Sequence, residues 1–166
     1  MSAGVGWWVG KVRQTWSHVR ASVRPAEREA LEAWTTPAQR ALFDAMHIAD
    51  RRHGLDVVGR LRAVGVDDPE VLLAGLLHDA GKGDAGLGPR IVHSLGQAYG
   101  HWIWAAARVV PGMRRALDRL TGHGDGSARL AAAAGCSART AELIRWQEAP
   151  RDPVDGELLR LADEGR

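Results

Sequence analysis

Leu72-Leu73-Ala74-Gly75-Leu76-Leu77-His78-Asp79-Ala80-Gly81-Lys82 carries an apolar run straight into an imidazole and a carboxylate. Read as a helix, the run ends in two polar groups where a core element should stay apolar. Burying either group costs several kcal/mol unless it is paired, hydrogen-bonded or bound to a cation. A divalent metal is the simplest explanation of the doublet.

Two neighbouring side chains cannot complete a coordination shell of about four to six ligands, so further donors must come from elsewhere. His53 is the first candidate. It stands in Asp50-Arg51-Arg52-His53-Gly54-Leu55-Asp56-Val57-Val58-Gly59-Arg60-Leu61, where Val57, Val58, Leu61 and Val64 mark the apolar face of a second helix. An antiparallel pair joined near Gly65 to Asp68 brings the far ends of the two helices together. His53 lies about twelve residues before that turn and His78 about ten after it. At ~1.5 Å of rise per residue, both reach the same level.

Outward from this pair, the 166 residues with 45% hydrophobic content fit one domain, whose core covers roughly two-thirds of the unfolded surface. Glycines punctuate expected helix ends at Gly54, Gly65, Gly81, Gly100, Gly122 and Gly135. The formal charge of +2 rests on arginine and gives only weak support to nucleic-acid binding. A single cysteine, Cys136, cannot form an internal disulfide, and no secretory leader opens the chain; both predict a reducing cytoplasm. The uncharged stretch from Ile91 to Ala107 contains His93, Gln97, Tyr99 and His101, too short and too polar for a membrane span.

The chain has one Phe, one Tyr and no sustained period-two alternation, so it reads as all-α. Thr36-Pro37, Asp68-Pro69 and Asp152-Pro153 each place a capping side chain before a proline suited to the first helical position. Ser137 is expected to cap a helix through about Glu148, and Pro111 to open another. Roughly nine or ten helices are expected. At the N-terminus, Val5, Trp8, Val12, Trp16, Val19 and Val23 recur at helical steps, with Lys11, Arg13, Arg20 and Arg24 off that stripe and no acidic residue before Glu27. This predicts an amphipathic helix within a 1–35 extension, followed by a domain over 36–166. Its Trp-rich stripe can pack on that domain, lie on an anionic membrane as a peripheral contact, or dock on a partner, a homodimer included.

The ordered set of His53, His78-Asp79, Gly81-Lys82 and a late Leu159-Arg160-Leu161-Ala162-Asp163 resembles the HD superfamily of metal-dependent phosphohydrolases, over roughly residues 36 to 166. The resemblance implies a compact helical HD-domain bundle. It also implies that His53, His78, Asp79 and Asp163 ligate one divalent metal. Two imidazoles and two carboxylates form a mixed nitrogen and oxygen site, open to Mn, Fe, Co, Ni, Zn or Mg and less suited to calcium. A water on such a metal is acidic enough to supply hydroxide near neutral pH, and the cation neutralises phosphoryl oxygens. With Asp79 and Lys82 as catalytic residues, phosphoester hydrolysis is the matching reaction.

Around this set, Lys82 can bind a second phosphate oxygen as a point charge or simply favour a helix C-terminus. Asp84 and Arg90 can serve proton transfer or substrate anchoring, or remain solvated surface charges. His123, in Thr121-Gly122-His123-Gly124-Asp125, stands where two-metal members of the family place a further histidine, and is expected near the substrate or as a satisfied non-ligand. Those members add a vicinal histidine pair on the next helix. The corresponding Ile144-Arg145-Trp146-Gln147-Glu148 has none, which favours a single metal. His18 and His47 read as structural. His93 and His101, eight apart, are expected to share one helix face, lining the pocket or held by core hydrogen bonds. Trp102 and Trp104 read as core or interface bulk.

Two functions follow from these expectations. One is hydrolysis of a phosphoester in a small phosphorylated compound, a nucleotide being the leading case, with metal-bound water as nucleophile. The alternative is a non-catalytic HD-like sensor or adaptor that binds metal or nucleotide.

Overall fold

The computed structural model describes residues 22–83 and 87–165, and every regular element among them is helical. In chain order these are α1 (Pro25–Ala30), a 3-10 turn (Leu31–Ala33), α2 (Pro37–Ala45), α3 (Ile48–Ala63), α4 (Pro69–Leu77), a second 3-10 turn (Ala80–Lys82), α5 (Leu87–Tyr99), α6 (Trp102–Ala107), α7 (Met113–Thr121), α8 (His123–Ala133), α9 (Ala138–Arg145) and α10 (Asp155–Glu164). The all-α reading holds.

Helix α4 is the axis of the bundle. Every residue from Val71 to Leu77 is buried, because α2, α3, α9 and α10 all pack against it. A helix enclosed on all sides needs no polar face, which is why its sequence is apolar without a helical period. Leu76 and Leu77 are fully buried, and truncating either to alanine would cost ~2–5 kcal/mol.

The α3–α4 hairpin forms as its spacing predicts. Gly65 ends α3 with φ +89°; its N–H donates to the Arg62 carbonyl and the Val66 N–H to the Leu61 carbonyl, both at 3.0 Å, closing a Schellman cap. Asp68 then caps α4 by accepting the Glu70 N–H at 2.9 Å, with Pro69 in the first turn. The two helices touch through glycines: a Cβ on Gly54 would lie 2.5 Å from the Leu76 carbonyl oxygen, and one on Gly75 2.9 Å from Leu61 Cδ1. Gly54 is therefore not a helix end, as its sequence position suggested, but a contact point inside α3. Gly81 likewise does more than break a helix. A Cβ there would lie 2.5 Å from the Ser127 nitrogen, and its N–H donates to Ser127 Oγ at 2.8 Å, seating the second 3-10 turn on α8.

Other starts show what proline and capping residues do when neighbours compete. Thr36 and Gln39 form a reciprocal capping box at α2. Ser137 caps α9 by accepting the Thr140 N–H at 3.1 Å, although α9 ends at Arg145 rather than near Glu148. Asp152 accepts the N–H groups of Val154 and Asp155, each at 2.9 Å, so α10 begins at Asp155 and Pro153 precedes it. Pro111 stands in the loop before α7, which opens at Met113 after a left-handed Gly112 with φ +81°.

Leu31 is 2% exposed and belongs to the core, with Val23 and Trp34 packed on it. Helix α1 is tied down by Glu27 to Arg52 at 2.8 Å and by Arg28 to Asp44 at 2.6 Å. The expected helix through Val5, Trp8, Val12, Trp16 and Val19, and His18 with it, lies outside the described residues. His93 and His101 do not share a helix, because Gly100, with φ +116°, breaks the chain between α5 and α6. Both rings instead stack on Trp104, with centroids 5.2 and 4.6 Å away. No helix among the described residues is long and apolar enough to cross a membrane.

Candidate metal centre

The hairpin, the 3-10 turn and the last turn of α10 converge on one cluster. His53 comes from α3, His78 caps the C-terminus of α4, and Asp79 follows it. Asp163 arrives from α10, which packs on both α3 and α4. His53 Nε2 stands 2.6 Å from Asp163 Oδ1, and His78 Nε2 stands 3.3 Å from the same oxygen and 3.5 Å from Asp79 Oδ1. The rings of His53 and His78 meet edge to face, centroids 5.1 Å apart. His53, His78 and Asp163 can each offer a ligand atom within 4.8 Å of the others. Asp79 stands beside that compact trio rather than within it.

Hydrogen bonds fix which nitrogen each buried histidine turns inward. His78 Nδ1 lies 2.9 Å from the Gly75 carbonyl and His123 Nδ1 2.8 Å from the Leu120 carbonyl. A carbonyl only accepts, so each Nδ1 carries a proton and each Nε2 is the exchangeable position. Both Nε2 atoms face Asp79: His123 Nε2 is 3.7 Å from Asp79 Oδ1. Orientation of an imidazole through its far nitrogen is the usual support for a histidine ligand.

The charges are strongly coupled. Burial opposes a charged His78, but Asp79 and Asp163 outweigh it and raise its pKa from 6.5 to about 9. Asp79 is held well below the usual carboxylate range: burial works against ionisation, and His78, Lys82, His53 and His123 more than compensate. Asp163 is held low against burial by His53, which hydrogen-bonds it, and by the neighbouring His78. Even so, among the described residues neither His78 Nε2 nor Asp79 Oδ1 has a hydrogen-bond partner, and both are sealed from solvent. Such orphaned atoms are rare enough to demand a missing partner.

Lys82 closes the 3-10 turn and directs its ammonium to Asp79 Oδ2 at 2.6 Å. Burial works against its charge, yet Asp79 raises its pKa, with Asp50 and Asp163 adding to the effect. Asp79 thus presents one oxygen to a cationic side chain and the other to the histidines. His123 opens α8 and is 8% exposed. Arg90 lies on α5, with its side chain outside the described part of the structure, as is Asp84 altogether. His47 caps α3, its Nδ1 accepting the Ala49 N–H at 3.3 Å.

Two further residues border the cluster. Asp50, 2% exposed, precedes His53 by one helical turn. That three-residue spacing was a readable signal. Gln147, 4% exposed, donates from Nε2 to the His78 carbonyl at 3.4 Å, and no local pattern announces a contact across 69 positions. Gln147 belongs to the segment that lacks histidines, so an amide reaches the doublet there. A separate 370 Å³ cleft lined by Arg139, Leu143, Trp146 and Arg151 also reaches Gly156, near the start of α10, whereas Asp163 stands at its end. Comparison of the chain with family models, curated proteins and solved structures gives no match.

Proposed function

We propose that this chain is a divalent-metal-dependent phosphohydrolase of the HD type, acting on a small phosphorylated compound such as a nucleotide. The observation that carries the reading is the pair of buried atoms without hydrogen bonds, His78 Nε2 and Asp79 Oδ1, beside His53 and Asp163. The donor set of two imidazoles and two carboxylates suits Mn, Fe, Co, Ni, Zn or Mg, with His53, His78, Asp79 and Asp163 as the residues that would hold it. When bound, such a cation acidifies water and neutralises charge on phosphoryl oxygens.

The chain's own groups prepare the rest. Gly75 fixes the His78 ring through Nδ1, so loss of the Nε2 proton exposes a lone pair to the site. Lys82 holds Asp79 Oδ2 and leaves Oδ1 directed at the histidines, while its ammonium adds positive potential for a phosphoryl group. His123 keeps its Nδ1 proton on Leu120 and offers Nε2 beside Asp79, where it can bind a substrate oxygen or exchange a proton with it.

The test is turnover of bis-p-nitrophenyl phosphate and a nucleotide panel by metal-free protein reloaded with each cation. Turnover in the wild type that is lost in His78→Ala and Asp79→Ala supports the reading. Equal turnover in both variants sinks it. Metal bound without any turnover would reassign the chain as a metal- or nucleotide-binding sensor.

A further inference from the structure

Helix α6 turns an apolar side to solvent. Trp102, Ala105, Ala106, Val109 and Val110 recur at steps of three and four, and all are exposed, whereas Ile103, Trp104 and Ala107 turn inward. Helix α6 ends at Ala107 in a tight turn, in which the Arg108 N–H donates to the Trp104 carbonyl at 3.1 Å and the Val110 N–H to the Ala107 carbonyl at 3.0 Å. The exposed apolar positions therefore extend from Trp102, 69% exposed, through that turn to Val109, 83%, and Val110, 48%. Tyr99 adjoins it at 40% exposure, its carbonyl accepting from Trp102 Nε1 at 3.2 Å. A helical stripe of this kind ordinarily faces a core, and a contiguous exposed apolar patch marks an interaction surface.

Charge selects what covers it. From Ala85 to Leu117 the sequence has no Asp or Glu, but it has Arg90, Arg108, Arg114 and Arg115. Arg114 and Arg115 are exposed just past the Val109-Val110-Pro111-Gly112 turn; Arg108 is paired with Asp118 at 2.8 Å. The apolar stripe read in the sequence from Val5 to Val19 carries Lys11 and Arg13, with Arg20 just after it and no acid, so it offers this edge no counter-charge. A second copy seated by two-fold symmetry would pair this acid-free stretch with itself and supply no counter-charge for Arg114 or Arg115. An anionic bilayer suits both features at once. Trp, Tyr and Val enter the interface while Arg meets the headgroups.

We propose that the Trp102–Arg115 edge, comprising α6 and the turn into α7, docks on an anionic phospholipid surface. The test is flotation of the full chain with vesicles of phosphatidylcholine alone or with about one third phosphatidylglycerol. The wild type floats with the anionic vesicles, not with the neutral ones, and is released by about 0.5 M salt. Val109→Asp with Val110→Asp lowers the floated fraction roughly five-fold or more, and Arg114→Glu with Arg115→Glu does the same. All four positions are exposed, and unchanged melting temperatures verify that the variants fold. No flotation of the wild type, or equal flotation on neutral vesicles, overturns the proposal. So does undiminished flotation of the valine variant, which would move the contact elsewhere in the chain. A dimer in light scattering that the valine variant abolishes, without flotation, would make the occupant a second copy.

Discussion

His78 Nε2 and Asp79 Oδ1 stand 3.5 Å apart, both shut off from solvent and neither hydrogen-bonded among the described residues. Adjacent residues normally diverge. Here α4 ends at Leu77 and the backbone tightens into a 3-10 turn, so consecutive side chains meet over the N-terminal half of α3 and the last turn of α10.

That meeting predicts proton release on metal binding. With Asp79 and Asp163 raising it to about 9, His78 holds its Nε2 proton near neutral pH, and a cation must displace it. Close to one proton should leave per cation bound near pH 7, measured by calorimetry in buffers of differing ionisation enthalpy. Apparent affinity should climb with pH and level off near 9. Binding with no proton released would contradict the assignment of Nε2.

Metal-free stability should follow the same groups. His78 rises from 6.5 to about 9, so its contribution is complete below pH 6.5 and fades as pH climbs through 9. Asp79 and Asp163 are lowered from 3.8; their contributions are complete above that value and are lost as pH falls beneath it. Melting temperature should therefore be highest between about pH 4 and 6.5 and decline toward pH 9. A flat profile from pH 6 to 10 would count against the coupling.

Gly54 sets how closely α3 approaches the doublet. A methyl at that position meets the Leu76 carbonyl at 2.5 Å, and backbone cannot step aside as a side chain can. Gly54→Ala should cost ~1–3 kcal/mol and weaken metal binding by pushing His53 away from His78. Gly59→Ala, on the same helix with nothing within 4 Å, should instead stabilise by ~0.5–1 kcal/mol. Denaturant titration of both variants checks the contrast, and equal effects would remove the close-contact argument.

Lys82 is the partner of Asp79 Oδ2. Lys82→Met leaves that buried oxygen unsatisfied and should cost ~1–3 kcal/mol in the metal-free protein. Thermal melts with and without a divalent cation should show most of the loss recovered when the cation neutralises Asp79. An unchanged melting temperature without metal would show that the pair contributes nothing.

Much of this arrangement was legible in the residues. The level of His53 against His78 followed from helical rise and from turn residues at Gly65 and Asp68, which are local facts. Glycines were harder to read. Gly54 resembles a helix stop in sequence, and only its contact with Leu76 reveals that it serves packing. His93 and His101 fit one helical face by spacing, yet the left-handed Gly100 between them overrides the period. Gln147 reaches the His78 carbonyl through tertiary folding that no short pattern encodes. Trp102, expected as core or interface bulk, proves the most exposed aromatic side chain among the described residues, because α6 turns its other side inward.

The proposed site asks His53, His78, Asp79 and Asp163 to hold one divalent cation. Elemental analysis by mass spectrometry, on protein purified without chelator, tests it most directly. About one divalent metal ion per wild-type chain is expected, with near-complete loss in His78→Ala and Asp163→Asn variants that still melt cooperatively. A metal-free wild type that stays empty on incubation with Mn, Fe, Co, Ni, Zn and Mg, or equal metal in the folded variants, would contradict it.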